Sequence, residues 1–146
     1  NQAEELKNIS QFNAVLSILV LIIGFGTLIA GIVGISNIMI FIVKERTKEI
    51  GIRKALGAPP SSIVALITLE SVLITAIAGY IGLLMGAVVL DSMKDTLKEY
   101  WITDPGVSTT LVVGAGILLV IAGLIAAYVP AKRASRIKPI VALRDE

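Results

Sequence analysis

The chain has neither cysteine nor histidine in its 146 residues. Without cysteine there is no disulfide framework, thiol nucleophile or thiolate metal site, and without histidine the commonest general base and metal ligand is missing. No catalytic, cofactor-binding or metal-binding residues are expected. Charge is also scarce, at 16% of residues, against 55% hydrophobic content and a mean hydropathy of +0.89. A soluble domain of this length cannot bury so much apolar surface, so lipid must cover the excess. The opening NQAEELKNIS holds no initiator Met and no basic stretch before a short apolar core. No signal peptide is read there, and a segment of a longer protein is expected.

What is present is long uncharged runs. Residues 8–43 are 36 consecutive uncharged positions, about 54 Å as a helix against a hydrocarbon core of roughly 30 Å, so this helix should protrude from the membrane. Residues 71–90 form a second run of 20 positions, and residues 105–131 a third. The connection at 44–54 and the tail at 132–146 each carry a net charge of +3, whereas the segment 91–104 carries −2 and the N-terminal residues −1. The slight overall basicity is therefore a topology signal and not a nucleic-acid footprint. Positive-inside counting places the N-terminus outside and the C-terminus in the cytoplasm, which requires at least one earlier span upstream. Phe12, Tyr100 and Trp101 fall at the outer boundaries and Phe41 and Tyr128 at the inner ones, as an aromatic belt or as ordinary lipid packing.

The expected architecture is an all-α membrane protein. Its parts are an extracytoplasmic stalk end (1–11), a transmembrane helix (12–43), a cytoplasmic helix and turn (44–60), a second transmembrane helix (61–90), an extracytoplasmic loop (91–106), a third transmembrane helix (107–130) and a cytoplasmic tail (131–146). Ala78, Gly82 and Gly86 recur every four residues beside Gly79 and form a small-residue face for bundle packing or dimerisation. Ala115, Ala122 and Ala126 with Gly116 and Gly123 offer a similar face on the third span, as do Ala30 and Gly34 on the first. Glu70 is the one ionisable residue embedded in an apolar run. The 20 uncharged residues after it already span the core, so it is placed near the inner boundary in an interfacial ion pair with a Lys or Arg, in preference to a transport site.

In the segment KERTKEIGIRKALGAPPSS, helical pattern continues beyond the first span. Glu45 with Lys48 and Glu49 with Arg53 are opposite charges three and four residues apart, and Ile50, Ile52 and Leu56 are expected to supply apolar contacts. Gly57 suits a left-handed helix end, Pro59 and Pro60 suit the first turn of the next helix, and Ser61 or Ser62 is expected to satisfy free amides there. From the residues alone this segment is a short amphipathic helix on the cytoplasmic surface, or, more blandly, a solvated basic loop that only sets topology or a helix lying on anionic lipid.

The string ERTKEIGIRKALGA at 45–58, followed by a helix bearing Glu70, resembles the FtsX-like permease family, which includes MacB-type macrolide exporters and lipoprotein-releasing permeases. The tail PAKRASR at 130–136, then KPI at 138–140 and ALRDE at 142–146, is similar to that family's C-terminal pattern. Asp145 stands where an aromatic is common, and Pro59-Pro60 replaces a polar pair. The resemblance implies the second to fourth helices of a four-helix, type VII ABC transporter permease. It also implies that Glu45, Arg46, Lys48, Glu49, Ile50, Ile52, Arg53, Leu56 and Gly57 form a short coupling helix that docks on a nucleotide-binding domain or subunit. No GxxxxGK[ST] phosphate loop occurs in the chain, so ATP and Mg would bind through that partner. Further implied partners are a second permease protomer in a dimer, a periplasmic adaptor protein and the bilayer, in the bacterial inner membrane. The implied function is mechanotransmission, in which cytoplasmic ATP hydrolysis drives extracytoplasmic movement to export a macrolide, peptide or lipoprotein. A division-type signalling module that activates cell-wall hydrolases is the alternative.

Overall fold

The computed structural model describes residues 1–93 and 109–140. Tyr100 and Trp101, most of the expected outer loop and the ALRDE end of the tail motif lie outside the described residues. The helices bounded within the described residues are α1 (Gln2–Glu45), α2 (Thr47–Ala55), α3 (Pro60–Ser92) and α4 (Thr109–Ser135). Three of them, α1, α3 and α4, are long and apolar enough to cross a membrane, and the protein is a multi-pass membrane protein.

α1 has 44 residues, about 66 Å and more than twice the hydrocarbon thickness. Its first turn is capped by Asn1, whose side-chain oxygen accepts from the Ala3 amide at 3.4 Å, with Glu4 and Glu5 at the positive end of the helix dipole. The expected stalk end is thus continuous with the transmembrane helix. Thr27, exposed in the apolar run, donates its hydroxyl back to the carbonyls of Ile23 and Gly24 at 3.0 and 2.9 Å. That satisfies it where lipid offers no partner.

α4 packs against both other long helices and α3 leans chiefly on α4. The close approach is made at Gly123, where a Cβ would meet Val72 Cα at 2.8 Å and Val72 Cγ2 at 3.2 Å. Ser71 and Thr75, fully or nearly buried one turn apart, face the same contact. Ser71 Oγ donates to the Gly123 carbonyl at 3.0 Å and Thr75 Oγ1 to the Ser71 carbonyl at 2.7 Å. Farther along, a Cβ on Gly79 would run into the Leu119 side chain and one on Gly116 into the Tyr80 hydroxyl.

The internal seam of α3 is therefore Ser71, Thr75 and Gly79. Ala78, Gly82 and Gly86 lie on the exposed side of α3, and nothing lies within 4 Å of where a Cβ on Gly82 or Gly86 would be. Within the described bundle the contact runs through Gly79, which leaves the Ala78, Gly82 and Gly86 face for dimerisation, the other role expected of it. The reason is geometric: one residue along a helix is a rotation of about 100°, which carries the Ala78 stripe off the face that Gly79 occupies. α4 also outruns its expected end at residue 130, continuing through a fully buried Pro130 to Ser135. Pro130 cannot donate to the helix, and it is buried there together with Ala126, Ala127, Ala131 and Ala134.

Candidate functional site

A buried hydrophobic cluster lies at the end of the bundle that carries α2. Met39 and Val43 of α1, Ile50 of α2, Ile63 and Ile67 of α3 and Ala131 and Ala134 of α4 form one buried cluster. α2 is thus a fourth wall of the core. The chain enters it through Arg46, whose φ of −94° and ψ of 14° break the helix for a single residue. Thr47 Oγ1 there donates to the freed carbonyls of Val43 and Lys44 at 3.0 and 2.8 Å. The helix ends in a Schellman turn: Gly57 takes φ +98°, its amide donates to the Lys54 carbonyl at 3.1 Å, and the Ala58 amide donates to Arg53 at 3.0 Å. Pro60 then opens α3 at its first position, where a missing amide costs nothing. No side chain caps that start, so the expected role of Ser61 or Ser62 is not taken up. The Ser62 amide donates to the Pro59 carbonyl instead.

Two polar ties fix α2 to the helices beside it. Arg46 Nη1 lies 3.0 Å from Glu70 Oε1 and 3.3 Å from Oε2, bridging the α1–α2 junction to α3. The same guanidinium donates to Glu49 at 3.3 and 3.5 Å, and Glu49 Oε1 accepts from Arg53 at 3.3 Å. The second tie is Lys54, whose ammonium donates to the carbonyls of Ser135 and, at 2.8 Å, Ile137. Both carbonyls lie at or just beyond the C-terminal, partly negative end of α4, a favourable seat for a cation. The sequence reading does not identify Lys54, because its acceptors lie more than 80 residues away. It also passes over Ser71 and Thr75, although two hydroxyls at helical spacing in an apolar run do signal an interhelical contact.

The hydrogen bond to Glu70, then that to Glu49, holds the Arg46 guanidinium above its ordinary pKa. The Arg46 hydrogen bond in turn lowers the Glu49 carboxyl below the usual 4.5. A lowered carboxyl contributes stability that is present above its unfolded pKa and lost as pH falls through its folded one. The difference in melting temperature between wild type and Glu49→Gln is therefore expected to be constant at neutral pH. It should close as the pH falls below the usual carboxylate range, in a thermal scan of the detergent-solubilised protein. A difference that widens with acid would contradict the pairing.

The expected apolar contacts of α2 divide sharply. Ile50 is buried, but Ile52 is 41% and Leu56 84% exposed. The pattern treats three apolar positions alike, whereas of the three only Ile50 shares the inward face, with Gly51 beside it and Lys54 one turn on. Lys48, Ile52 and Leu56 share the opposite stripe, with Glu45, Glu49 and Arg53 also exposed.

The model of the FtsX-like permease C-terminal domain matches residues 21–139. The chain belongs to the FtsX-like permease family. The permease segment is 38% identical over 82% of its length to a macrolide export ATP-binding/permease protein MacB of Nitrosomonas europaea, covering 18% of that protein. It is 36% identical over 100% of its length to the MacB of Wolinella succinogenes, covering 22% of it. An uncharacterized ABC transporter permease of Methanocaldococcus jannaschii is 35% identical over 99% of the segment, which covers 37% of that relative. The segment thus spans well under half the length of these relatives.

Proposed function

We propose that this permease segment is the C-terminal transmembrane portion of a MacB-like ABC transporter, and that α2 is its coupling helix. α2 receives the movement of a nucleotide-binding domain or subunit and passes it to the membrane helices. The supporting observation is the two-sidedness of α2. One face is tied to all three long helices through Ile50, the Arg46–Glu70 pair and Lys54, and the opposite face presents Ile52 and Leu56 to the surroundings. A helix held so firmly on one side, with Ile52 and Leu56 free among charged side chains on the other, is suited to take a load from a partner and distribute it.

In this reading the basic, α2-bearing end lies in the cytoplasm of a cell with this permease in its inner membrane. ATP and Mg bind on the nucleotide-binding domain, two permease protomers act together, and α1 carries the displacement outward. A periplasmic adaptor would receive it there. The names of the MacB relatives favour a macrolide or another extruded molecule as cargo.

The test is Leu56→Asp, alone and with Ile52→Asp, in the intact transporter. Both side chains are exposed, so melting temperature should hold, as for most surface changes. An apolar hot spot costs about 2 kcal/mol or more when removed, so cargo export per ATP hydrolysed is expected to fall about thirtyfold. Export at the wild-type ratio would exclude α2 as the coupling element.

A further inference from the structure

α3 and α4 line an open groove, with no α1 residue in its walls, whose two adjoining parts of about 570 and 340 Å³ share Val64, Thr68 and Leu124. Toward the membrane centre the walls are apolar and end at Val72 and Val120. Toward the α2 side they become polar, with Thr68, Tyr128, Lys132 and Ser135. Lys132 and Val120 are twelve residues apart on one helix, about 18 Å, close to the depth of one leaflet and far short of a full span.

The polar mouth is unsatisfied on one side only. The Lys132 ammonium sits 5.7 Å from the centre of the Tyr128 ring and makes no ion pair with a carboxylate among the described residues. Among the described residues, Glu49 and Glu70 of this end are both paired with Arg46. Thr68 adds a hydroxyl that makes no hydrogen bond among the described residues. An unpaired cation with a hydroxyl beside it, above an apolar slot one leaflet deep, complements an anionic head on an acyl chain. A further transmembrane helix fits less well, since it would need a groove running through both leaflets.

We infer that the α3–α4 groove is a binding site for one anionic glycerophospholipid of the leaflet on the α2 side, its phosphate on Lys132 and an acyl chain along Leu124 toward Val72. The lipid would lie across the seam that Ser71 and Gly123 close, and so brace α3 against α4 where α2 is tied to both.

Native mass spectrometry of the intact permease in micelles doped with palmitoyl-oleoyl phosphatidylglycerol, or with the matched phosphatidylcholine, tests the site. Wild type is expected to retain phosphatidylglycerol in preference. Lys132→Gln should weaken that retention about fivefold, the value of one lysine at an anionic surface. Arg133→Gln, with the same change in charge next to the groove, should leave it unchanged. Leu124→Trp, which fills the slot from an exposed position, should abolish retention of both lipids. Equal loss in the Lys132 and Arg133 variants would reduce the effect to general basicity and overturn the site. So would equal retention of the two lipids by wild type, or a groove variant that dissociates protomers without releasing lipid.

Discussion

Gly123→Leu is expected to separate α3 from α4 and to destabilise the permease segment by about 2–6 kcal/mol. Two costs combine. A Cβ would stand 2.8 Å from Val72 Cα, a backbone atom that cannot rotate away, so the helices must part; overpacking of this kind costs about 1–3 kcal/mol. Parting them also breaks the bond from Ser71 Oγ to the Gly123 carbonyl, leaving a fully buried hydroxyl unpaired at about 1–3 kcal/mol more. In lipid the second cost has no remedy, because no water is at hand to replace the lost partner. Gly82→Leu and Gly86→Leu supply the contrast. Both positions are open, and a leucine there gains helix propensity over glycine, so the folded protomer should be unchanged or slightly more stable. Unfolding in mixed micelles compares the three directly. Equal destabilisation at Gly82 and Gly123 would mean that the seam has been placed on the wrong face of α3.

That contrast also shows which parts of the molecule were legible in its sequence. The three spans follow from run length, because a hydrocarbon core of fixed thickness converts composition almost directly into structure. The turn between α2 and α3 was legible for a similar reason: a glycine followed by two prolines leaves the backbone few alternatives, and Gly57 does take a positive φ. Helix faces were harder to read. Small residues repeat at two overlapping registers on α3, and sequence periodicity cannot tell the stripe through Ala78 from the one through Gly79. The hydroxyls of Ser71 and Thr75 decide it, since they must turn inward to find acceptors. Within α2 the difficulty was similar. Ile50, Ile52 and Leu56 are equally apolar, and only the position of α4's end, set by a helix that continues through Pro130, determines which of them is covered. Lys54 reaches its carbonyls for the same reason.

Arg46→Glu is expected to be nearly as damaging as the seam variant, and it separates a structural tie from a mere surface contact. The Arg46 guanidinium stands between Glu49 and Glu70. Reversing its charge sets three carboxylates against one another, with only Arg53 left to offset them. About a third of each side chain of the Arg46–Glu70 pair is exposed, so solvent screens part of the interaction and the fully buried figure does not apply. Losing a charge-assisted bond costs about 1.5–3 kcal/mol, and the discounted value for Glu70→Gln is about 1–2 kcal/mol. For Arg46→Glu, where repulsion is added, about 3 kcal/mol is expected. The swapped double variant Arg46→Glu with Glu70→Arg should recover more than half of that loss. It should not recover all, because the reversed residue at position 46 then faces Glu49. High salt should shrink the Arg46→Glu defect and leave that of Gly123→Leu unaltered, since screening acts on charge and not on steric overlap. If coupling runs through this tie, the swapped variant regains export per ATP together with stability. If stability returns and export does not, the guanidinium at position 46 does more than hold α2 against α3, and the load path must include its contact with Glu49.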